Sequence, residues 1–353
     1  MRTAFPRPSR RMLAAALFVA ATMSAPAAAL AAEGAMLLQL VGAKPPNLVQ
    51  LVDLRSGRRT PLPLSAAAQA PLARGAQDTW FADPLGGDLV RLDPAQHVDF
   101  FDRATLARTG GFALAALPGV DQPRFYSDLK PSRDGRYLLA SWKRRYEQDD
   151  PALVVFDRAG HVVQELPSGD FARRRAFDWL PNGQFVFIAG RQVALGDVRR
   201  GILGASRLEL PQGAQAEGEL AVSPDGGRLV VSAQVPSNGG PDTLLFVGGV
   251  NGAGMRPLTV PSVEARASAL RAAHVSPHWS PDGRSIAFVV WHKSYMTRMS
   301  TLGCPLALVV PADAEHVPVT GLTSHDDAAL TVSAGGQGPL TACDGAVSWI
   351  ARR

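Results

Sequence analysis

One turn recurs along this chain, and it constrains the fold more than any other feature. The stretches "LKPSRDGRYLLASW" (Leu129–Trp142), "DWLPNGQFVFIAG" (Asp178–Gly190), "AVSPDGGRLVVSA" (Ala221–Ala233) and "HWSPDGRSIAFVVW" (His278–Trp291) share one design, a tight turn ahead of an apolar run. A weaker copy, "TWFADPLGGDLVRLD", spans Thr79–Asp93. Proline presets the second position of such a turn, Asp or Asn bonds back to the backbone, and glycine accepts a positive φ. The runs that follow, such as "RSIAFVV" and "GRLVVSA", fit strands buried on both faces. The turn residues Asp134, Asn182, Asp225 and Asp282 are spaced by 48, 43 and 57 residues. Periods of this size mark a repeat array.

Each unit carries a second hairpin. "ALVVFDRAGHVVQELP" from Ala152, "LVQLVDLRSGRRTPLP" from Leu48 and "TLLFVGGVNGAGMRPLTVP" from Thr243 all read as strand, turn, strand. Two hairpins make four strands per unit, and helical periodicity is nearly absent after residue 31. Tandem four-stranded units of about 40–50 residues are the blades of a β-propeller. The expected fold is therefore all-β, with four-stranded antiparallel blades. Trp179 and Trp279 just before the turn, and Trp142 and Trp291 after it, suit the packing between neighbouring sheets. Full units start near Thr79, Phe125, Phe177, Glu219 and Val275, with a fragment at Met36–Leu64 and strand-like pieces from Ala328 to Ile350. A tail strand that completes the first blade gives six blades. If the tail and the amino-terminal fragment each make a blade, the count is seven.

The W-S-P-D-G turn with its apolar strand, followed by a hairpin of the "LVDLRSGRRTPL" kind (Leu51–Leu62), resembles the propeller repeat of the TolB-like family, a relative of the WD-type repeat. The resemblance covers nearly the whole chain after residue 31. It implies architecture strongly and function weakly, because propellers host many unrelated activities. TolB itself resembles a propeller preceded by an α/β domain. Here the repeats begin close to residue 31, so a role in the Tol system is not implied. Propeller-bearing prolyl oligopeptidases need a hydrolase domain with G-x-S-x-G, a motif this sequence lacks.

Residues 1–31 read as a cleaved export signal, and residues 32–353 as a single propeller domain. Arg2, Arg7, Arg10 and Arg11 precede a short apolar stretch that ends at Ala29-Leu30-Ala31, an A-x-A site. The paired arginines of "SRRML" resemble a twin-arginine signal, and a general secretory signal fits equally. The location expected is periplasmic or secreted, with no integral membrane segment after cleavage. Four arginines and no acid lie in residues 1–31, which leaves 32 basic against 31 acidic residues, a net of +1. The basic pI is thus mostly the signal's and gives no reason to expect nucleic-acid binding. Cys304 and Cys343, the two cysteines, are expected to form one disulfide in an exported protein. In a six-bladed ring that bond would clasp the seam.

By analogy with other propellers, the S-P-D-G turns lie on one face. The entries to first strands and the second-to-third connections lie on the other. This rule directs Lys143, Arg144, Arg145, Arg173, Arg174, Arg175, His274, His278, His292 and Lys293 to one face. Loop arginines of this kind are often only solvated or paired with acids such as Glu147, Asp149 and Asp150. The candidate binding residues are Arg144, Arg145, Arg173, Arg174, His278, His292 and Lys293, facing a protein or an anionic ligand of the envelope. A monomer without cofactor or catalytic residues is expected.

The alternative is a polysaccharide lyase or hydrolase with a metal held by His274, His278 and His292. Oligogalacturonate lyases, among the TolB-like propellers, resemble that layout. Three histidines suit a divalent ion. However, "HVSPH" reads as extended, which would place His274 and His278 about 13 Å apart unless the strand bends. "GGVNGAG" (Gly248–Gly254) reads as a hairpin turn rather than a nucleotide loop, since no helix follows it.

Overall fold

The turns close as their residue types dictate. The computed structural model describes residues 34–39, 49–64, 79–93, 95–114, 124–144, 152–166, 176–237, 240–262, 271–293, 307–319 and 348–351. Ser280 Oγ donates to Asp282 Oδ1 at 2.6 Å, and the same carboxylate accepts the Arg284 N–H at 3.0 Å. Gly283, at φ 69°, returns its N–H to the Ser280 carbonyl at 2.9 Å. The set repeats at Ser223, Asp225 and Gly226 and again at Ser132, Asp134 and Gly135. A positive φ at the fourth position is what requires glycine there.

Strands β1 (Ala35–Gln39), β2 (Val49–Asp53) and β3 (Arg59–Pro61) open the first sheet. The second holds β4 (Thr79–Phe81), β5 (Leu89–Leu92), β6 (His97–Phe101) and β7 (Arg108–Ala113). The third holds β8 (Arg124–Pro131), β9 (Tyr137–Arg144), β10 (Ala152–Asp157) and β11 (Val162–Leu166). The fourth holds β12 (Phe177–Trp179), β13 (Phe185–Ala189), β14 (Gln192–Asp197) and β15 (Gly201–Arg207). A fifth set follows with β16 (Gln215–Val222), β17 (Arg228–Val235), β18 (Asp242–Gly249) and β19 (Arg256–Pro257), and β20 (Thr259–Pro261) leads out of it. The sixth set has β21 (Arg271–Trp279), β22 (Ser285–Lys293) and β23 (Ala307–Pro311), followed by β24 (Val317–Val319). Finally β25 (Ser348–Ile350) returns to the first sheet and pairs with β1, Met36 opposite Trp349.

Two details depart from uniform four-stranded units. The fifth and sixth sets are joined by one parallel bridge, Thr243 to Ala273, and β20 pairs in parallel with β24. Pro257 at the end of β19 and Pro261 at the end of β20 have no N–H to give a ladder. The outer edge of the fifth set is therefore broken, and its second piece pairs with the neighbouring set.

Six buried clusters fill the spaces between consecutive sets. Alternate residues of one strand feed two of them. In β22, Ile286, Phe288 and Val290 pack toward the fifth set, while Ala287 and Val289 pack toward the first with Met36 and Trp349. The first set packs in turn on the second, with Ile350 against Trp80 in one cluster. The described strands thus form a closed ring of sheets, consistent with the six-blade count.

Candidate functional site

The first strand of each set lines the middle of the ring. Ser348 of β25, Trp80 and Phe81 of β4, Lys130 of β8, Asp178 of β12, Glu219 of β16 and His278 of β21 border one cavity of about 740 Å³, its open mouth included. A single sequence position recurs in this lining. Phe81, Lys130, Asp178, Ala221 and His278 each stand two residues before the opening residue of their turn. Because side chains alternate along a strand, these residues share one sheet face, on which Phe81 and Ala221 also pack between sets.

The neighbours fix the ring. Trp179 Nε1 donates to the Lys130 carbonyl at 2.7 Å, and Trp279 Nε1 donates to the Ala221 carbonyl at 3.0 Å. Each indole therefore ties its set to the preceding set at the cavity wall. Asp178 adds a tie forward, accepting the Val222 N–H at 2.7 Å. Lys130 Nζ lies 3.5 Å from Asp178 Oδ1 and donates to the Leu220 carbonyl at 2.7 Å. Burial pushes the Asp178 carboxyl above its ordinary range, and the Asp83 charge adds to this. Lys130 and the backbone N–H groups of Val222 and Trp179 oppose the shift without cancelling it.

A second cation braces the ring at the turns. Arg133 stands where the other turns carry Pro181, Pro224 and Pro281. Its Nε is 3.2 Å from Asp83 Oδ1 and its Nη1 donates to the Pro224 carbonyl at 2.8 Å. One side chain thus links the second, third and fifth sets. On the far wall, Ser276 has a left-handed φ of 53° and donates its N–H to Glu219 Oε2. A bulge between Val275 and His278 accompanies it.

The structure brings together some sequence-selected residues and separates others. Strand register puts Arg144 opposite Arg124 and Lys293 opposite Arg271, at the strand ends remote from the turns. His292, opposite Ala272, is at the same end. His278 is at the turn end of β21, on the cavity, so it does not join His292 and Lys293. His274 is fully buried, its Nδ1 2.7 Å from Thr259 Oγ1 and its ring 5.6 Å from Phe288. It belongs to the packing between the fifth and sixth sets, and the bulge turns it away from His278. Among the described residues no group of three His, Cys, Asp or Glu is placed to hold a metal. Arg145, Arg173, Arg174, Cys304 and Cys343 lie outside the described residues.

The sequence reading missed Lys130, Asp178 and Arg133. Aligning the turns would have shown the first two as polar members of one inward column. Arg133 was visible as the turn residue that is not proline.

No protein-family profile matches the chain, and no curated protein matches it. Among solved structures it is similar to TolB from Acinetobacter baumannii at TM-score 0.50 and 16% identity, over 82% of this chain and 65% of that one. The chain thus spans just under two thirds of that protein's length. It is also similar to a structure described as a putative TolB from Agrobacterium tumefaciens (TM-score 0.45, 16% identity, 90% and 94% of the two chains). A third similar structure is that of the RRP9 WD40 repeats (TM-score 0.42, 14% identity, 76% and 74% of the two chains). The first likeness shows the fold, an all-β propeller like that of TolB.

Proposed function

We propose that this chain is an exported, non-catalytic propeller that serves as a binding module of the bacterial envelope. It takes a protein or an anionic ligand on the face away from the S-P-D-G turns. The observation that carries this reading is the strand register. β9 ends at Arg144 and β22 at His292 and Lys293, all remote from the turns. Arg145 directly follows the first of these ends, and Arg173 and Arg174 closely precede β12. Basic charge clustered on that face would attract carboxylate or phosphate groups.

The cavity adds support for a scaffold role. Lys130 is engaged with Asp178 and the Leu220 carbonyl, and Arg133 with Asp83 and the Pro224 carbonyl. Groups held this way brace the ring. The periplasmic or secreted setting rests on the signal-like residues 1–31. No helix among the described residues is long and apolar enough to cross a membrane.

Retention on heparin-agarose, a sulfated polyanion, tests the basic face. With 32 basic against 31 acidic residues after residue 31, retention requires clustering of charge. Changing Arg144, Arg145, Arg173 and Arg174 to Glu should release the protein at much lower salt, with an unchanged circular dichroism spectrum. The same change at the exposed Arg136, Arg199, Arg200 and Arg284 should shift elution far less. Equal shifts in the two variants, or flow-through of the wild type, would refute the basic face.

A further inference from the structure

The outer strand of the fourth set is an unguarded edge. β15 ends its sheet and pairs with β14 on one side only. Exposed edges are normally blunted by charge, proline or brevity. The other outer strands among the described residues follow that rule. β3 has three residues and ends at Pro61, and β19 has two and ends at Pro257. β7 opens at Arg108, and β11 carries Glu165. β15 is the longest of them, with seven residues, and holds neither charge nor proline from Gly201 to Ser206. Ile202, Leu203, Gly204 and Ala205 are all exposed. Strand register shows what changed. Arg59 lies opposite Val52 and Arg108 opposite Phe101, each beside the Asp that opens the hairpin turn. The equivalent residues of the third and fourth sets are Val162, opposite Phe156, and Ile202, opposite Gly196. Val162, Val163, Ile202 and Leu203 are four of the five large apolar side chains exposed among the described residues. They share one stretch of rim. Gln164, its amide oriented by its neighbours, donates to the Asp197 carbonyl at 2.8 Å and accepts the Gly201 N–H at 3.1 Å.

The edge is open between two stops. A Cβ on Gly204 would meet nothing within 4 Å. Leu208 gives its N–H to the Arg191 carbonyl at 2.8 Å. By alternation Ser206 and Gly204 face β14, while Ala205 turns its N–H and carbonyl outward. Gln164 closes one end at Gly201. At the other end, Ser206 Oγ donates to the Asn251 carbonyl of the fifth set at 2.6 Å. Charge then selects the occupant. Arg199 and Arg200 stand at the first end and Arg207 at the second, all exposed. Asp197, the acid of this turn, is engaged by the N–H groups of Arg199 and Arg200 and by the Arg200 guanidinium. A second copy of β15 laid antiparallel would set Arg200 against Arg207 at both ends, which repels. A strand with carboxylates at its ends meets the arginines favourably. We infer that β15 binds, by strand addition, an extended peptide segment with an apolar, β-branched centre and acidic ends. This site is on the outer rim, separate from the basic face proposed above.

The test uses the full chain and a fluorescent, capped peptide of alternating Val and Thr with two Asp at each end. Anisotropy titration should show saturable binding to the wild type. A peptide with Pro at its centre lacks a ladder N–H, and one with Lys at its ends reverses the charge. Each should bind at least 10-fold more weakly. Ala205→Pro removes an outward N–H and leaves the bonds to β14, so it should weaken binding at least 10-fold with an unchanged circular dichroism spectrum. The Ile202→Lys/Leu203→Lys double variant guards the edge with charge and keeps the test decisive if the proline disturbs the strand. It too should bind at least 10-fold more weakly, whereas attraction by charge alone would tighten its hold on the acidic peptide. The inference is overturned if the wild type does not bind the acid-ended peptide, if either control peptide binds equally well, or if the double variant binds as the wild type does. A wild type that sediments as a dimer, and a double variant that sediments as a monomer, would overturn it in favour of a second copy.

Discussion

At the residue scale, the turn carboxylates are the most predictable actors in this chain. The Ser223 hydroxyl and the Gly227 N–H hold the Asp225 carboxyl below its ordinary range, against a smaller opposing effect of burial. Asp225→Ala should lower the unfolding free energy by about 1 kcal/mol, the usual net worth of such bonds. Because the folded-state pKa is depressed, the contribution is present above the unfolded value of about 3.9 and fades as pH falls through the folded one. Urea titrations should show a constant gap between wild type and variant from pH 5 to 8 that narrows below pH 4. Asp178 has the opposite sign. Burial raises its folded pKa, so the stability it contributes is complete below the unfolded value and is lost as pH rises through the folded one. The stability of the wild type relative to Asp178→Asn should therefore fall as pH rises from 4 to 8. A gap that moves the other way would mean that Lys130 outweighs burial. The Ser, Asp and Gly of each turn could be read from sequence because their roles are local. Asp178 could not, because nothing in "FDW" says that it will face Lys130 from 48 residues away.

At the element scale, strand order followed from turn spacing, and hairpins such as β10–β11 and β2–β3 fall where alternating apolar runs end in turn residues. Close approaches between strands are a different matter. A Cβ on Gly196 in β14 would lie 2.2 Å from the Phe185 ring, whereas one on Gly204 in β15 would meet nothing within 4 Å. Gly196→Ala should therefore cost about 1–3 kcal/mol through overpacking. Gly204→Ala should be neutral or stabilise by up to about 1 kcal/mol, because it restricts only the unfolded chain. Parallel urea titrations check both, and similar losses would contradict the stated strand contacts. Neither glycine is marked in the sequence. The same holds for the parallel pairing of β20 with β24, which joins residues 58 apart, Thr259 with Val317. The His278 assignment suffered in this way as well. A face drawn from loop order alone placed it with His292, while register and the bulge at Ser276 put them at opposite ends of β21 and β22.

At the scale of the whole molecule, the ring has one seam that the chain does not cross covalently, and β25 holds it. Only three residues pair β25 with β1. Trp349 nevertheless packs with Met36 and Val52 of the first set and with Ala287, Val289 and Ala307 of the sixth. One side chain therefore fills the junction between the ends of the array. Trp349→Ala should cost about 3–5 kcal/mol, as for other buried tryptophans. It should also speed amide exchange in β1 and β25 more than in the third and fourth sets, on the opposite side of the ring. The sequence-level expectation of a Cys304–Cys343 bridge bears on the same seam. Such a bond would close a loop of roughly 40 residues and add about 3–4 kcal/mol in the chain-entropy model. Reductant should then lower the melting temperature of the wild type to that of the Cys304→Ser/Cys343→Ser double variant, and leave the variant unmoved. The two effects also interact. If that bridge forms, Trp349→Ala should be more damaging under reducing than oxidising conditions. Equal losses under both would mean that β25 alone closes the ring.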